Sequence, residues 1–414
     1  MHSRLQRNEF WFVLSIPVIN AIAANTTGFL PNTALNPGAI RGLIIGLFSI
    51  YFIFNRLTKS SLNSFVLFYL VYFFILVILS SNFFFSLDLY LKLFIGVMML
   101  PIGYYYFNTP EKISLLLKSF FVALVIYIIN IAISNTFKLG SSDYLDDSFY
   151  FGTGRVNITK SLLLLVFFAP LTITFKRNKL LTTLIFILGL LIALIGIKRS
   201  VLLSGFIAFV IYAYFKRNKT KLIKASIALA IFVSLILIAF PSYIDTFLAR
   251  FEAREERIEV TDESLEEEAR YNETFQVTNE WLNGSIKHKL IGSELFNDRY
   301  YYNTHRMLHT DYMIILNGAG IVGIVLWFLI YVLIIYKKNK YYKYLKNDNL
   351  YREMNALFYM FLSAQIIMSV SSTVYAIDIR SIFFLYWGAM ISIMRTRYIE
   401  LTTNRNVNNE MVYY

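Results

Sequence analysis

The sequence predicts an all-α polytopic membrane protein of about 12 transmembrane helices, each needing about 20 apolar residues, with a large helical loop outside the bilayer. Three observations predict it. Of 414 residues, 57% are hydrophobic and 16% are charged, whereas soluble domains carry roughly 25% charged residues. The apolar residues come in runs of spanning length. The formal charge of +13 is spread over short Lys/Arg clusters between those runs. That is the pattern of loops facing an anionic leaflet, so no nucleic-acid partner is expected.

The runs can be taken in order. Residues 9–26 follow a basic start with Arg4 and Arg7. A charged start and an apolar run also describe a signal peptide. No small-residue cleavage site follows and many spans do, so an uncleaved first span is expected. Further spans are predicted at 40–57, 62–80, 88–107 and 113–134. A second group falls at 157–175, 179–197, 200–215 and 222–242. The pair around 197–201 is separated only by Lys198, Arg199 and Ser200, which makes it a hairpin. The loop 243–308 holds more than half of the 26 acidic residues and reads as short amphipathic helices on a solvated face. The last spans are 309–336, 354–373 and 375–394. The chain therefore divides into N-terminal transmembrane helices (1–156), a core with its outer loop (157–336, loop 243–308), C-terminal transmembrane helices (337–394) and a polar tail (395–414).

Under this count Arg4, Arg7, Arg56, Lys59, the basic residues of 176–179, 216–224 and 337–346, Arg395 and Arg397 share one side. By the positive-inside rule that side is the cytoplasm. Both termini are then inside, and loops 135–156 and 243–308 are outside. The chain has no cysteine, which excludes disulfides and thiolate-bound metals.

Cations on the outer side run against that rule. Arg41 and Lys92 are expected to snorkel to headgroups. Arg155, Lys198, Arg199, Arg270 and Arg306 are candidates to converge on a polyanion, for which guanidinium forks suit phosphate oxygens. His309 opens an apolar segment, with Asp311 two residues on and Arg306 three before. Imidazole is the side chain that exchanges protons near neutrality. His305 is its competitor. Asp311 is read either as orienting that imidazole or as a helix cap.

These residues carry a resemblance. Residues 309–323, HTDYMIILNGAGIVG, resemble the H-N-x-Y-L-x-x-L-x-x-x-G-I-x-G signature of the bacterial O-antigen ligase and O-antigen polymerase superfamily, with His309, Tyr312, Gly320 and Gly323 in register. Three further blocks agree in order. Residues 150–159, YFGTGRVNIT, are similar to the family's R-x-x-G…N segment, although Arg155 follows the glycines. Residues 195–203, IGIKRSVLL, are similar to its T-x-S-R-x-x-L hairpin, with Lys198 where serine is common. Arg270, Trp281 and the LIGS of 290–293 resemble its R-x-x-x-W…P-x-x-G-x-G loop, with Glu294 in place of the second glycine and a different tryptophan spacing.

The resemblance implies a GT-C-like glycosyltransferase on the periplasmic face of the bacterial inner membrane, independent of metal or other cofactor. The donor is a glycan on undecaprenyl pyrophosphate. The acceptor is a second lipid-linked repeat unit for a polymerase, the favoured reading, or lipid A-core for a ligase, the alternative. Membrane lipids and a chain-length regulator are further candidate partners. A flippase for the same lipid-linked glycan is the third reading. His309 is carried over as the general base, and Arg199 and Arg270 as the pyrophosphate-binding residues. Lys198, Arg155, Arg306, Asp311 and His305 are secondary candidates.

Overall fold

The structure, a computed structural model, describes residues 2–26, 36–139, 207–208, 210–215, 269–297, 308, 310–371 and 376–411. The regular structure of the described residues is helical. The first group comprises α1 (His2–Thr26), α2 (Pro37–Asn55), α3 (Ser61–Ile78), α4 (Phe83–Tyr106) and α5 (Pro110–Phe137). The second comprises α6 (Ala269–Asn283), α7 (Ile286–Ile291), α8 (Asp311–Tyr342), α9 (Asn349–Met368) and α10 (Ile377–Met411). The spans expected at 157–175, 179–197 and 222–242 lie outside the described residues. Of 200–215, only the helical end is described.

Local chemistry sets where these helices begin. Asn36, Ser60 and Thr109 each cap a helix by accepting a backbone N–H two or three residues on, and Pro37 and Pro110 occupy the first helical position. Each cap satisfies a donor that the helix cannot, and proline gives up a donor the helix does not need there. Seven of the helices, α1 to α5, α8 and α10, are long and apolar enough to cross a membrane. Their outward faces carry large apolar side chains: Phe54 and Phe84 are each 82% exposed and Leu43 is 63% exposed. Such a surface suits lipid as solvent, where helices satisfy their own backbone. The chain is thus an α-helical polytopic membrane protein. α9 matches the run predicted at 354–373 and is long enough to cross, but it carries Arg352, Glu353, Asn355 and Gln365.

α4 and α10 form the centre and run parallel. A methyl group on Gly103 would stand 2.2 Å from the Leu385 carbonyl oxygen, and one on Gly388 2.0 Å from that of Leu100. The two backbones touch because these residues lack side chains, the usual way helices pack where no hydrophobic effect drives them together.

The two ends of the bundle differ. At one end the Glu9 carboxylate accepts from Tyr51 Oη (2.6 Å), Tyr106 Oη (2.7 Å) and both Arg56 Nε (3.1 Å) and Nη2 (3.0 Å). This ties α1, α2 and α4 together. Arg56, Lys59, Lys337 and Arg395 gather at this end, as the charge count requires. At the other end the segment after α7 docks on the α3–α4 turn, where Ser81 Oγ donates to Glu294 Oε2 at 2.7 Å.

One span is not what the sequence predicts. The run 309–336 is expected to be one long apolar helix, but α8 is broken at Gly320, where φ is 60° and ψ is −162°. In a straight helix Tyr312 and Trp327 would lie about 22 Å apart along the axis. Their ring centroids are 5.2 Å apart. A methyl on Gly323 would lie 3.7 Å from the carbonyl oxygen of Ile315. The first limb, α8a (311–319), therefore folds back beside the second, α8b (321–342). Hydropathy does not register this, because both limbs are apolar and a glycine alone does not mark a reversal.

Candidate functional site

The break is held from outside by the segment 290–297. Three glycines interlock there. A methyl on Gly320 would meet the Leu290 carbonyl oxygen at 2.5 Å, one on Gly292 the Ala319 nitrogen at 2.5 Å, and one on Gly318 the Leu295 Cα at 2.7 Å. Gly292 and Gly320 also have positive φ, at 76° and 60°, which other residues rarely adopt. Ending a helix inside the bundle frees carbonyl groups that need donors. The Ser293 N–H donates to Asn317 O at 2.8 Å and Tyr72 Oη to Ala319 O at 3.2 Å. Leu295 and Phe296 are buried beside the break, Phe296 at a φ of 64°. The segments 290–293 and 310–323 therefore pack as one unit.

Glu294, where the resembling motif has glycine, is the anchor of that unit. Burial pushes its carboxyl up, but hydrogen bonds from Asn297 and from the Ser81 hydroxyl and N–H outweigh this and hold it below its ordinary value. Trp281 closes the α6–α7 corner, donating from Nε1 to the Lys289 carbonyl at 3.0 Å.

The limb α8a points its N-terminal end into the bundle. Counting about 1.5 Å per residue along α8b, Asp311 lies roughly 15 Å from the Lys337 end, near the middle of a ~30 Å hydrocarbon layer. Thr310 is the extended N-cap residue, and Asp311 stands in the first turn, where a carboxylate complements the helix dipole. Asp311 is fully buried and meets Arg380 of α10, 1% exposed, with Oδ2 and Nη2 3.5 Å apart. The Arg380 stem lies across Gly96 of α4, where a methyl would stand 2.7 Å from its Cδ. Its Nε has no hydrogen-bond partner among the described residues, nor has the Tyr331 hydroxyl. Tyr69 and Tyr331 are near enough to feel the charges of both partners.

Arg380 is not among the residues expected at the site, although an arginine inside an apolar run is costly and marks a cavity or a partner. Of the candidate catalytic and anion-binding residues expected from the sequence, Asp311 has a described side chain at this site. His309 lies outside the described residues, between buried Leu308 and half-buried Thr310. Arg155, Lys198, Arg199, His305 and Arg306 also lie outside them. Arg270 is in the first turn of α6, which packs on α8, and its side chain lies outside the described residues. Lys92 does not reach headgroups alone: its Nζ donates to Asp88 at 2.6 Å, one turn back along α4. Arg41 is half-buried, near enough to Tyr127 for its charge to act on that hydroxyl.

The fold and this site define a polytopic membrane protein with a re-entrant half-helix and an ion pair at mid-depth. No protein-family model matches the chain, and no curated protein matches it.

Proposed function

We propose that the chain is an inverting, metal-independent membrane glycosyltransferase that polymerises glycan repeat units carried on undecaprenyl pyrophosphate. One observation carries the reading: α8a starts two residues after His309 and points its positive end into the bundle beside Arg380. A helix N-terminus with a nearby guanidinium is a place for a phosphate group. A lipid-linked donor brings its phosphates from within the bilayer.

In the proposed reaction, the His309 imidazole takes the proton of an acceptor hydroxyl as its oxygen attacks the anomeric carbon. The bond from that carbon to the pyrophosphate oxygen breaks, and the anomeric centre inverts. Arg199 and Arg270, with Arg380 added to the set, stabilise the charge that grows on the leaving pyrophosphate. A ligase acting on lipid A-core would use the same donor chemistry and differ only in its acceptor.

The test uses the purified chain, a lipid-pyrophosphate glycan donor and a lipid-linked acceptor. Product should form in the presence of chelator, and His309→Ala should reduce its rate by about 10²–10⁴, the range for loss of a general base. Arg270→Ala and Arg199→Ala should form little product, with Arg→Lys intermediate. A fully active His309→Ala beside an inactive His305→Ala would move the base to the other histidine.

The mid-depth ion pair and broken helix also favour a second reading, a flippase for the same lipid, since half-helices at the membrane midplane form transporter sites. Translocation of a labelled donor across proteoliposomes, without any product of transfer, would select it.

A further inference from the structure

A cavity of about 550 Å³ lies at the Glu9–Arg56 end, far from the α8 break. It is walled by the α2–α3 turn, the end of α4, α8b and α10. Lys59, Lys337 and Arg395 line it, with hydroxyls from Ser60 and Ser392, and no carboxylate is among the described residues of its lining. Three cations face one space, and no acid among the described lining residues answers them. α3 begins there, with Ser60 as its cap, so the positive end of that helix adds to the same field. The Arg395 guanidinium sits over the Tyr104 ring at 6.0 Å, which braces it at the cavity wall.

Its level in the bundle narrows the ligand. The cavity lies where α2, α4 and α8b leave their apolar stretches, beside Tyr104, Tyr105 and Tyr341. Tyrosines collect at headgroup depth, and basic pockets between transmembrane helices on the cytoplasmic side suit anionic headgroups. A tetrahedral anion can be met by guanidinium, ammonium and hydroxyl donors at once.

We propose that this cavity is a phosphate site, filled by the headgroup of an anionic glycerophospholipid. Phosphate chemistry is shared by that headgroup and by free phosphate, and the experiment separates them. The full-length chain is exchanged in detergent into a mixture of phosphatidylglycerol and phosphatidylcholine, and retained lipid is read by native mass spectrometry. Phosphatidylglycerol should be retained over phosphatidylcholine. Lys337→Gln and Arg395→Gln should each weaken retention about fivefold, the effect of one basic residue at a lipid surface. Lys346→Gln removes a charge outside the cavity lining and should leave retention unchanged. Arg395→Lys keeps the charge and should keep most of the preference, which separates loss of binding from loss of folding. Equal retention of both lipids, or equal loss with Lys346→Gln, would overturn the site. Saturation by millimolar inorganic phosphate with no further gain from phosphatidylglycerol would keep the phosphate chemistry and overturn the lipid as its source.

Discussion

Arg380 and Asp311 illustrate what single residues decide in this molecule. Two buried charges 3.5 Å apart are a weak source of stability, because desolvation offsets their attraction. Removing one partner is a different matter. Arg380→Ala should destabilise the protein by about 3–5 kcal/mol, the range for breaking a buried pair, seen as a lower thermal unfolding temperature in detergent. The double variant Arg380→Met with Asp311→Asn should regain most of that stability. On the proposed function it should still fail in glycan transfer, so that stability and activity part company. Glu294 gives the residue-scale prediction for pH. Its folded carboxyl titrates below its unfolded value, so its contribution is complete above the unfolded range. That contribution is lost as pH falls through the folded value. Hydrogen exchange of residues 290–297 should quicken over that acid window. In Glu294→Gln the pH dependence should flatten; an unchanged profile there would assign it to another group.

Among the elements, α8 turns on one glycine. Gly320→Ala forces a side chain into an essentially glycine-only backbone region, at about 1–3 kcal/mol, and against the Leu290 carbonyl, an overpacking cost of about 1–3 kcal/mol. A lower unfolding temperature and faster proteolysis within 290–297 should follow, while Gly42→Ala, with open space around it, should change neither. The same helix shows how much of the fold could be read in advance. α2, α3 and α5 were legible because each is an apolar run of spanning length. The fold-back was not legible: it depends on Ser293 and Tyr72 meeting carbonyls that α8a leaves free, contacts of long sequence separation. Of the site, Asp311 and the glycines of 292 and 320 stood out in the sequence. Arg380 was legible only as an arginine inside an apolar run; its pairing was not, because Asp311 lies on another helix 69 positions earlier. Glu294 read as a departure from a motif, and its role as an anchor needed Ser81 in view.

For the molecule as a whole, the arrangement of charge makes sidedness testable. The absence of cysteine leaves a clean background for labelling. Lys287→Cys on α7 and Lys340→Cys on α8b stand at opposite ends of the bundle. An impermeant thiol reagent applied to intact cells should modify the first and spare the second, and modification of both from one side would undo the two-ended description. Lys338 offers a different use. It is fully buried, with its Nζ donating to Asn355 Oδ1 at 2.5 Å and lying 4.0 Å from the Tyr359 ring centroid and 4.8 Å from that of Phe358. Its neighbours Lys337 and Lys340 are half-buried and exposed. An amine-acylating footprint of well-folded protein should therefore be blank at 338 between two marked lysines. The moment that blank fills in, α8b and α9 have come apart, so one silent amine serves as a built-in gauge of whether a detergent preparation still holds its native helix pairing.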